Sequence, residues 1–217
     1  IGVECAKNTV IAFLDSDDVW LPIKLEKQMP LLGDSQGVSL VYCFQQGIEN
    51  MYRGNVLYEL VRGWIPPNPS TLVLMRSVYK ELGGFDETLK ACEDHDFWLA
   101  LSLRGFTVDY CRESLTVFTN DADNRLSHNY LLRVDALNCF LNKWKDVIVS
   151  NTDERAYLRF RSDYILKVIY PIFIDSIQKK KYSNIIKLAY KYFLFESRFY
   201  FLAYHSLARR FSNLLNI

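Results

Sequence analysis

Val10-Ile11-Ala12-Phe13-Leu14 runs straight into Asp15-Ser16-Asp17-Asp18. The first five residues form an apolar run of strand length. The next four hold three acids that repel one another and cannot stay buried unpaired. A buried strand that ends in carboxylates is the arrangement by which open α/β sheets present ligand sites. The residue types leave two readings open. Hard oxygen donors suit Mg²⁺ or Mn²⁺, which keep positions free for substrate phosphates; a solvated loop that caps a helix has the same composition.

Downstream the pattern alternates. Pro22 fits the first turn of a helix, with Ile23, Leu25, Met29 and Leu32 as a partial apolar face. Residues 38–44 are a second buried strand, residues 45–65 a loop with a short helix, and Pro66-Pro67-Asn68-Pro69 a rigid connector. Residues 70–75 are β-rich, residues 76–82 helical, and Gly83-Gly84 close that helix. Residues 93–104 form a helix ended by Gly105, followed by strands at 106–110 and 114–118. From residue 129 to 211 the pattern is helical, with breaks near 150–153 and 179–183. Strands alternating with helices, then a helical tail, predict an α/β fold: a catalytic part over residues 1–125 and a helical region over 126–217.

Composition bounds the setting. The chain has 217 residues and a formal charge of +1, which conceals an asymmetry. Residues 1–154 carry 14 Lys and Arg against 22 Asp and Glu; residues 155–217 carry 12 against 3. Ile185, Leu188, Ala189, Tyr192, Phe195, Phe199 and Leu202 recur at helical spacing among Lys187, Lys191, Arg198, Arg209 and Arg210. That basic amphipathic stretch suits either a peripheral membrane contact or packing on the catalytic part. Nothing has the spacing of a nucleic-acid motif, so no nucleic-acid partner is expected. The five cysteines are unpatterned, which points to a reducing, cytoplasmic setting without structural zinc. No apolar run is long enough to span a bilayer. Ile1 is not a start methionine and the chain opens in mid-pattern, so a longer parent chain is expected.

Glu93-Asp94-His95-Asp96 opens the best helix of the N-terminal half. Acids are favoured there by the helix dipole, and a carboxylate in that place is equally a candidate general base. Gly83-Gly84-Phe85-Asp86-Glu87 is either a helix cap or tight backbone beside a site.

Taken in order, these segments resemble glycosyltransferase family 2. The stretch from Phe13 to Pro22 with Lys24-Leu25-Glu26 and Gln28 is similar to the family's DxD region. Pro69-Ser70-Thr71, Gly83-Gly84-Phe85-Asp86-Glu87 and Glu93-Asp94-His95-Asp96-Phe97-Trp98-Leu99 resemble its acceptor segment and its "ED" motif. The resemblance covers residues 10–118 and implies a partial GT-A (Rossmann-like) mixed sheet. It implies an inverting transfer of sugar from a nucleotide-sugar donor to a saccharide or lipid-linked acceptor, in surface polysaccharide or lipopolysaccharide synthesis at the inner face of the membrane. Asp15, Asp17 and Asp18 are then the metal and donor-diphosphate residues, with Mn²⁺ or Mg²⁺ as cofactor, and Asp94 the catalytic base with Glu93 beside it. Gly83, Gly84, Phe85 and Asp86 line the acceptor cleft, Trp98 lies beneath it, and Arg125 and His128 belong to a loop that closes on the donor. The family's opening strands, which meet the nucleobase and ribose, have no counterpart here; they amount to about 60–90 residues at 30 or more per strand–helix unit. A truncated remnant that binds a protein or a membrane is the alternative expectation.

Overall fold

The computed structural model describes residues 1–118, apart from 34, 36, 48 and 49, and residues 130–188. The chain divides into two compact units, Ile1–Asn129 and Tyr130–Ile217.

In the first unit, α1 (Gly2–Cys5) precedes β1 (Val10–Ala12) and β2 (Asp18–Trp20). Next come α2 (Lys24–Gln28), β3 (Leu40–Cys43), α3 (Leu57–Val61) and β4 (Leu72–Met75). They are followed by α4 (Arg76–Leu82), α5 (Glu93–Leu103), β5 (Val108–Cys111) and β6 (Thr116–Phe118). Four strands make a mixed sheet in the order β1-β4-β3-β5: β4 runs antiparallel to β1 and β3, and β5 is parallel to β3. β2 and β6 form a separate antiparallel ribbon, with Asp18 opposite Phe118. The sequence pattern does not show β2, because Asp18-Val19-Trp20 looks like the end of an acidic loop until its partner strand is known.

β3 lies between two neighbours and is covered on both faces, so it reads as an unbroken apolar run. Val41 packs with Leu32 and Val73 on one side. On the other, Tyr42 meets Trp64 and Trp98 at ring separations of 6.0 and 5.6 Å. Glycines close both helices that flank the site. Gly83 (φ 82°) follows α4, and Gly105 (φ 82°) follows α5, where Phe106 N–H donates back to Leu101 O at 3.2 Å.

The α2 region differs from the sequence expectation. Ile23, Leu25 and Met29 are 41, 43 and 41% exposed, and the buried pair is Lys24 and Gln28. The helix is too short to use a full apolar stripe. Its two inward positions, four residues apart, serve main-chain carbonyls: Gln28 Nε2 donates to Val41 O at 3.2 Å and to Thr71 O at 2.9 Å. Leu32 alone of the expected face enters the core.

The second unit holds α6 (Tyr130–Asn151), α7 (Glu154–Gln178) and α8 (Tyr182–Leu188). Asp153 starts α7 by accepting from Ala156 N–H at 2.7 Å, a side-chain cap in the polar break. Phe140, Phe160 and Tyr164 stack in its core at 4.6–6.0 Å. Among the described residues no helix is long and apolar enough to cross a membrane. Much of the basic stretch, from Ala189 on, lies outside the described residues.

Candidate functional site: two carboxylate segments over an aromatic floor

β1 ends at Ala12, and Asp15 follows three residues later. Asp18 N–H donates to Asp15 O at 3.1 Å, closing a turn over Ser16 and Asp17. The turn divides the acids: Asp15 and Asp17 are exposed, while Asp18 starts β2 at 9% exposure. Asp15 is held from the segment just before β4. Its N–H donates to Ser70 Oγ at 3.0 Å, and the nearby Asn68 side chain favours the charged form of its carboxyl. Asn68 Oδ1 meanwhile accepts from Ser70 N–H at 2.8 Å, fixing the amide that faces Asp15.

The second carboxylate group opens α5. Cys92 precedes it in left-handed backbone (φ 66°), sparsely populated for a residue with a side chain. Asp94 Oδ1 accepts from His95 N–H at 2.8 Å and lies 4.0 Å from His95 Nε2.

These two segments, distant in sequence, share one electrostatic environment. The Asp15 carboxyl is raised above its ordinary range by partial burial first, then by the charge of Asp18; Asn68 opposes this, and Asp17 and Asp94 add to it. The Glu93 carboxyl is raised by burial, with Asp94 and Asp15 adding to it and its own backbone N–H and His95 opposing. A raised carboxyl keeps its proton longer when folded. Stability associated with both groups is therefore greatest at acid pH and falls as pH rises through their folded values.

An aromatic cluster ties the segments together. Phe13, two residues before Asp15, lies 5.6 Å from Tyr79 and 5.2 Å from Phe85. Phe97, on the first turns of α5, lies 5.6 Å from Tyr79 and 5.3 Å from Phe85. Gly84 lets Phe85 into this group: its φ is 78°, and a Cβ there would meet Tyr79 Oη at 2.8 Å. Asp86 Oδ1 accepts from the Thr88 N–H and hydroxyl at 2.9 and 2.6 Å, a local turn. Gly84→Val is expected to cost about 2–4 kcal/mol, from left-handed backbone and overpacking together. Denaturant unfolding against the parent chain measures it.

Trp98 is fully buried between Tyr42 and Trp64, with its indole N–H unpartnered among the described residues. Its place is the core behind α5, where a fully covered ring supports the helix. Arg125 and His128 lie outside the described residues.

Asn68, Ser70 and Lys24 are the contacts the sequence conceals. A Pro-Asn-Pro-Ser stretch has the composition of a connector; the clue is an Asn two residues before a Ser, the pattern of a side-chain cap. Lys24 is 1% exposed; its ammonium donates to Gln28 Oε1 at 2.5 Å and to Thr71 O at 3.3 Å, and sits 4.7 Å from the Trp20 ring centre. Burial lowers its pKa to about 8. Since the unfolded chain holds the proton to a higher pH, stability rises as pH passes from 8 toward the ordinary lysine range. The expected gain is about 3 kcal/mol, read as the parent chain minus Lys24→Met in denaturant unfolding at pH 7 and pH 10.

Among the described residues no three His, Cys, Asp or Glu side chains form a group able to hold a metal ion. Mg²⁺ and Mn²⁺ sites completed by substrate phosphates use only one or two protein carboxylates. The charges of Asp18, Asp17 and Asp94 each raise the Asp15 carboxyl.

No protein-family model matches the chain. It is 28% identical over 147 residues to an uncharacterized glycosyltransferase of Methanocaldococcus jannaschii, covering 61% of this chain and 48% of that protein. It is 26% identical over 117 residues to one of Rickettsia felis (46% of this chain, 19% of that protein) and over 119 residues to one of Rickettsia typhi (45% and 35%). The chain thus shows distant homology to proteins named as glycosyltransferases and spans about half or less of their length.

Proposed function

We propose that the chain is the metal-site and acceptor-side portion of an inverting nucleotide-sugar glycosyltransferase of family 2, with a partial GT-A sheet. The observation that carries this is the aromatic cluster in which Phe13, beside the Asp15 turn, and Phe97, on the helix opened by Glu93 and Asp94, both pack on Tyr79 and Phe85. The distant homology to glycosyltransferases supports the reaction class.

In this reading Asp94 accepts the proton of an acceptor hydroxyl, with Glu93 adjusting the local charge. The hydroxyl oxygen forms a bond to the anomeric carbon as the bond to the nucleoside diphosphate breaks, and configuration inverts. Asp17 or Asp18, with Asp15, would hold Mn²⁺ or Mg²⁺; when bound, that ion neutralises charge on the diphosphate. Asn68 and Ser70 keep Asp15 in place. Gly83 to Asp86 border the acceptor side, and Arg125 and His128 would act on the donor. The acceptor is a saccharide or a lipid-linked one of surface polysaccharide assembly, reached from the cytoplasmic face of the membrane.

The rival reading is a truncated, non-catalytic remnant that binds a protein or a membrane. Sugar transfer or nucleotide-sugar hydrolysis with and without Mn²⁺, on this chain and on one extended upstream, separates the two. Metal-dependent turnover that Asp17→Ala removes is expected; a folded, extended chain with no turnover supports the remnant.

A further inference from the structure

We propose that Lys24 is a positioning residue of this site: through the Thr71 carbonyl it fixes the backbone segment 68–71 on which Asp15 rests. The proposal deepens the sugar-transfer reading and rests on it for what Asp15 does.

Lys24 has no evident reason to be a lysine on stability grounds. It is 1% exposed, and among the described residues no carboxylate pairs with its ammonium. A buried ammonium without a carboxylate beside it carries a desolvation cost that an apolar side chain does not. The charge is spent on polar contacts that lead toward Asp15. Lys24 Nζ donates to Thr71 O, which also accepts from Gln28 Nε2. Next in the chain, Ser70 O accepts from the Trp20 indole N–H at 2.8 Å and from Thr116 Oγ1 at 3.1 Å. Lys24 lies against that same Trp20 ring. Ser70 Oγ then takes the Asp15 N–H, while Ser70 N–H is held by Asn68 Oδ1 at 2.8 Å. Four side chains from α2, β2 and β6 thus grip two successive carbonyls of a segment whose own side chains hold Asp15.

A carbonyl shared with a cation is bound more strongly than one shared with a neutral donor. Removing the ammonium leaves Gln28 on Thr71 O, so that main-chain carbonyl keeps a donor, while Gln28 Oε1 loses the one it takes from Lys24. What is lost is stiffness in the segment and in the Asp15 turn.

The test is amide hydrogen exchange on the full chain, parent against Lys24→Met, with thermal melting alongside. Peptides covering residues 13–20 and 66–72 are expected to exchange roughly tenfold faster in the variant, the size of one charge-assisted hydrogen bond. The melting temperature at pH 7 is expected to fall by a few degrees at most, since relief of the buried charge offsets the donor that Gln28 Oε1 loses. Unchanged exchange in those peptides overturns the proposal, and so does an acceleration spread over all of the first unit with a larger fall in melting temperature, which marks a purely structural lysine. Should the Met variant fail to fold, Lys24→Gln keeps a donor in the space but falls short of Thr71 O. The same local acceleration is then expected, and parent-like protection overturns the proposal. Exchange reads out without turnover: a parent chain with no metal-dependent transfer, together with local acceleration in the variant, leaves the positioning role standing and removes the sugar-transfer reading.

Discussion

Asp94→Asn is expected to lower the turnover number for transfer by about 10²–10⁴-fold, the usual contribution of a general base. The amide keeps the side chain's shape and can still accept from His95 N–H through its oxygen, so the start of α5 persists. What disappears is a basic oxygen for the acceptor proton. The Glu93 and Asp15 carboxyls are each raised in part by the Asp94 charge, so both are expected to titrate lower in the variant. Binding of donor and metal should change little, so the loss falls on the turnover number rather than on KM. Steady-state kinetics of parent and variant in the extended chain, with Mn²⁺ saturating, measure this. An equal loss of folding in both units would assign Asp94 to structure instead.

Trp98→Ala is expected to cost about 3–5 kcal/mol, the range for truncating a buried aromatic side chain. Trp98 touches Tyr42 and Trp64 edge-on, at 5.6 and 5.5 Å, and Trp64 in turn meets Tyr52 at 5.3 Å. These rings fill the space between α5 and β3, so the cavity would open behind the helix that carries Glu93 and Asp94. Domain stabilities are typically of order 5–15 kcal/mol, so such a loss is a large part of the total. Trp98→Phe keeps most of the volume and removes the unpartnered indole N–H, and is expected to cost far less. Denaturant midpoints of the three proteins give the comparison.

How far the sequence could be read depended on what each residue's partners were. β3 was legible because both faces of Leu40–Cys43 are covered, and burial alone makes an apolar run. Helices α4 and α5 were legible because glycine ends both and acids open α5. β2 was not: its identity lies in pairing with β6, nearly a hundred residues later, and a long-range pair leaves no local pattern. The inward face of α2 was misjudged for a related reason. Apolar residues normally mark the buried side, but here two main-chain carbonyls needed donors, and Lys24 with Gln28 supplied them. Within the site, the acids at Asp15–Asp18 and Glu93–Asp96 announce themselves by charge density at element ends. Asn68 and Ser70 do not, since small polar residues beside prolines have the composition of any connector.

The proposal places a cation on the Asp15 turn, beside the start of α5. Titrating Mn²⁺ into isotope-labelled chain and following backbone amide signals tests it most directly, because a paramagnetic ion broadens only the amides near it. The account predicts that residues 15–18 and 93–95 broaden together at the lowest additions, and that Asp15→Asn weakens both effects at once. Broadening confined to one segment, or scattered over exposed acids elsewhere, would contradict it.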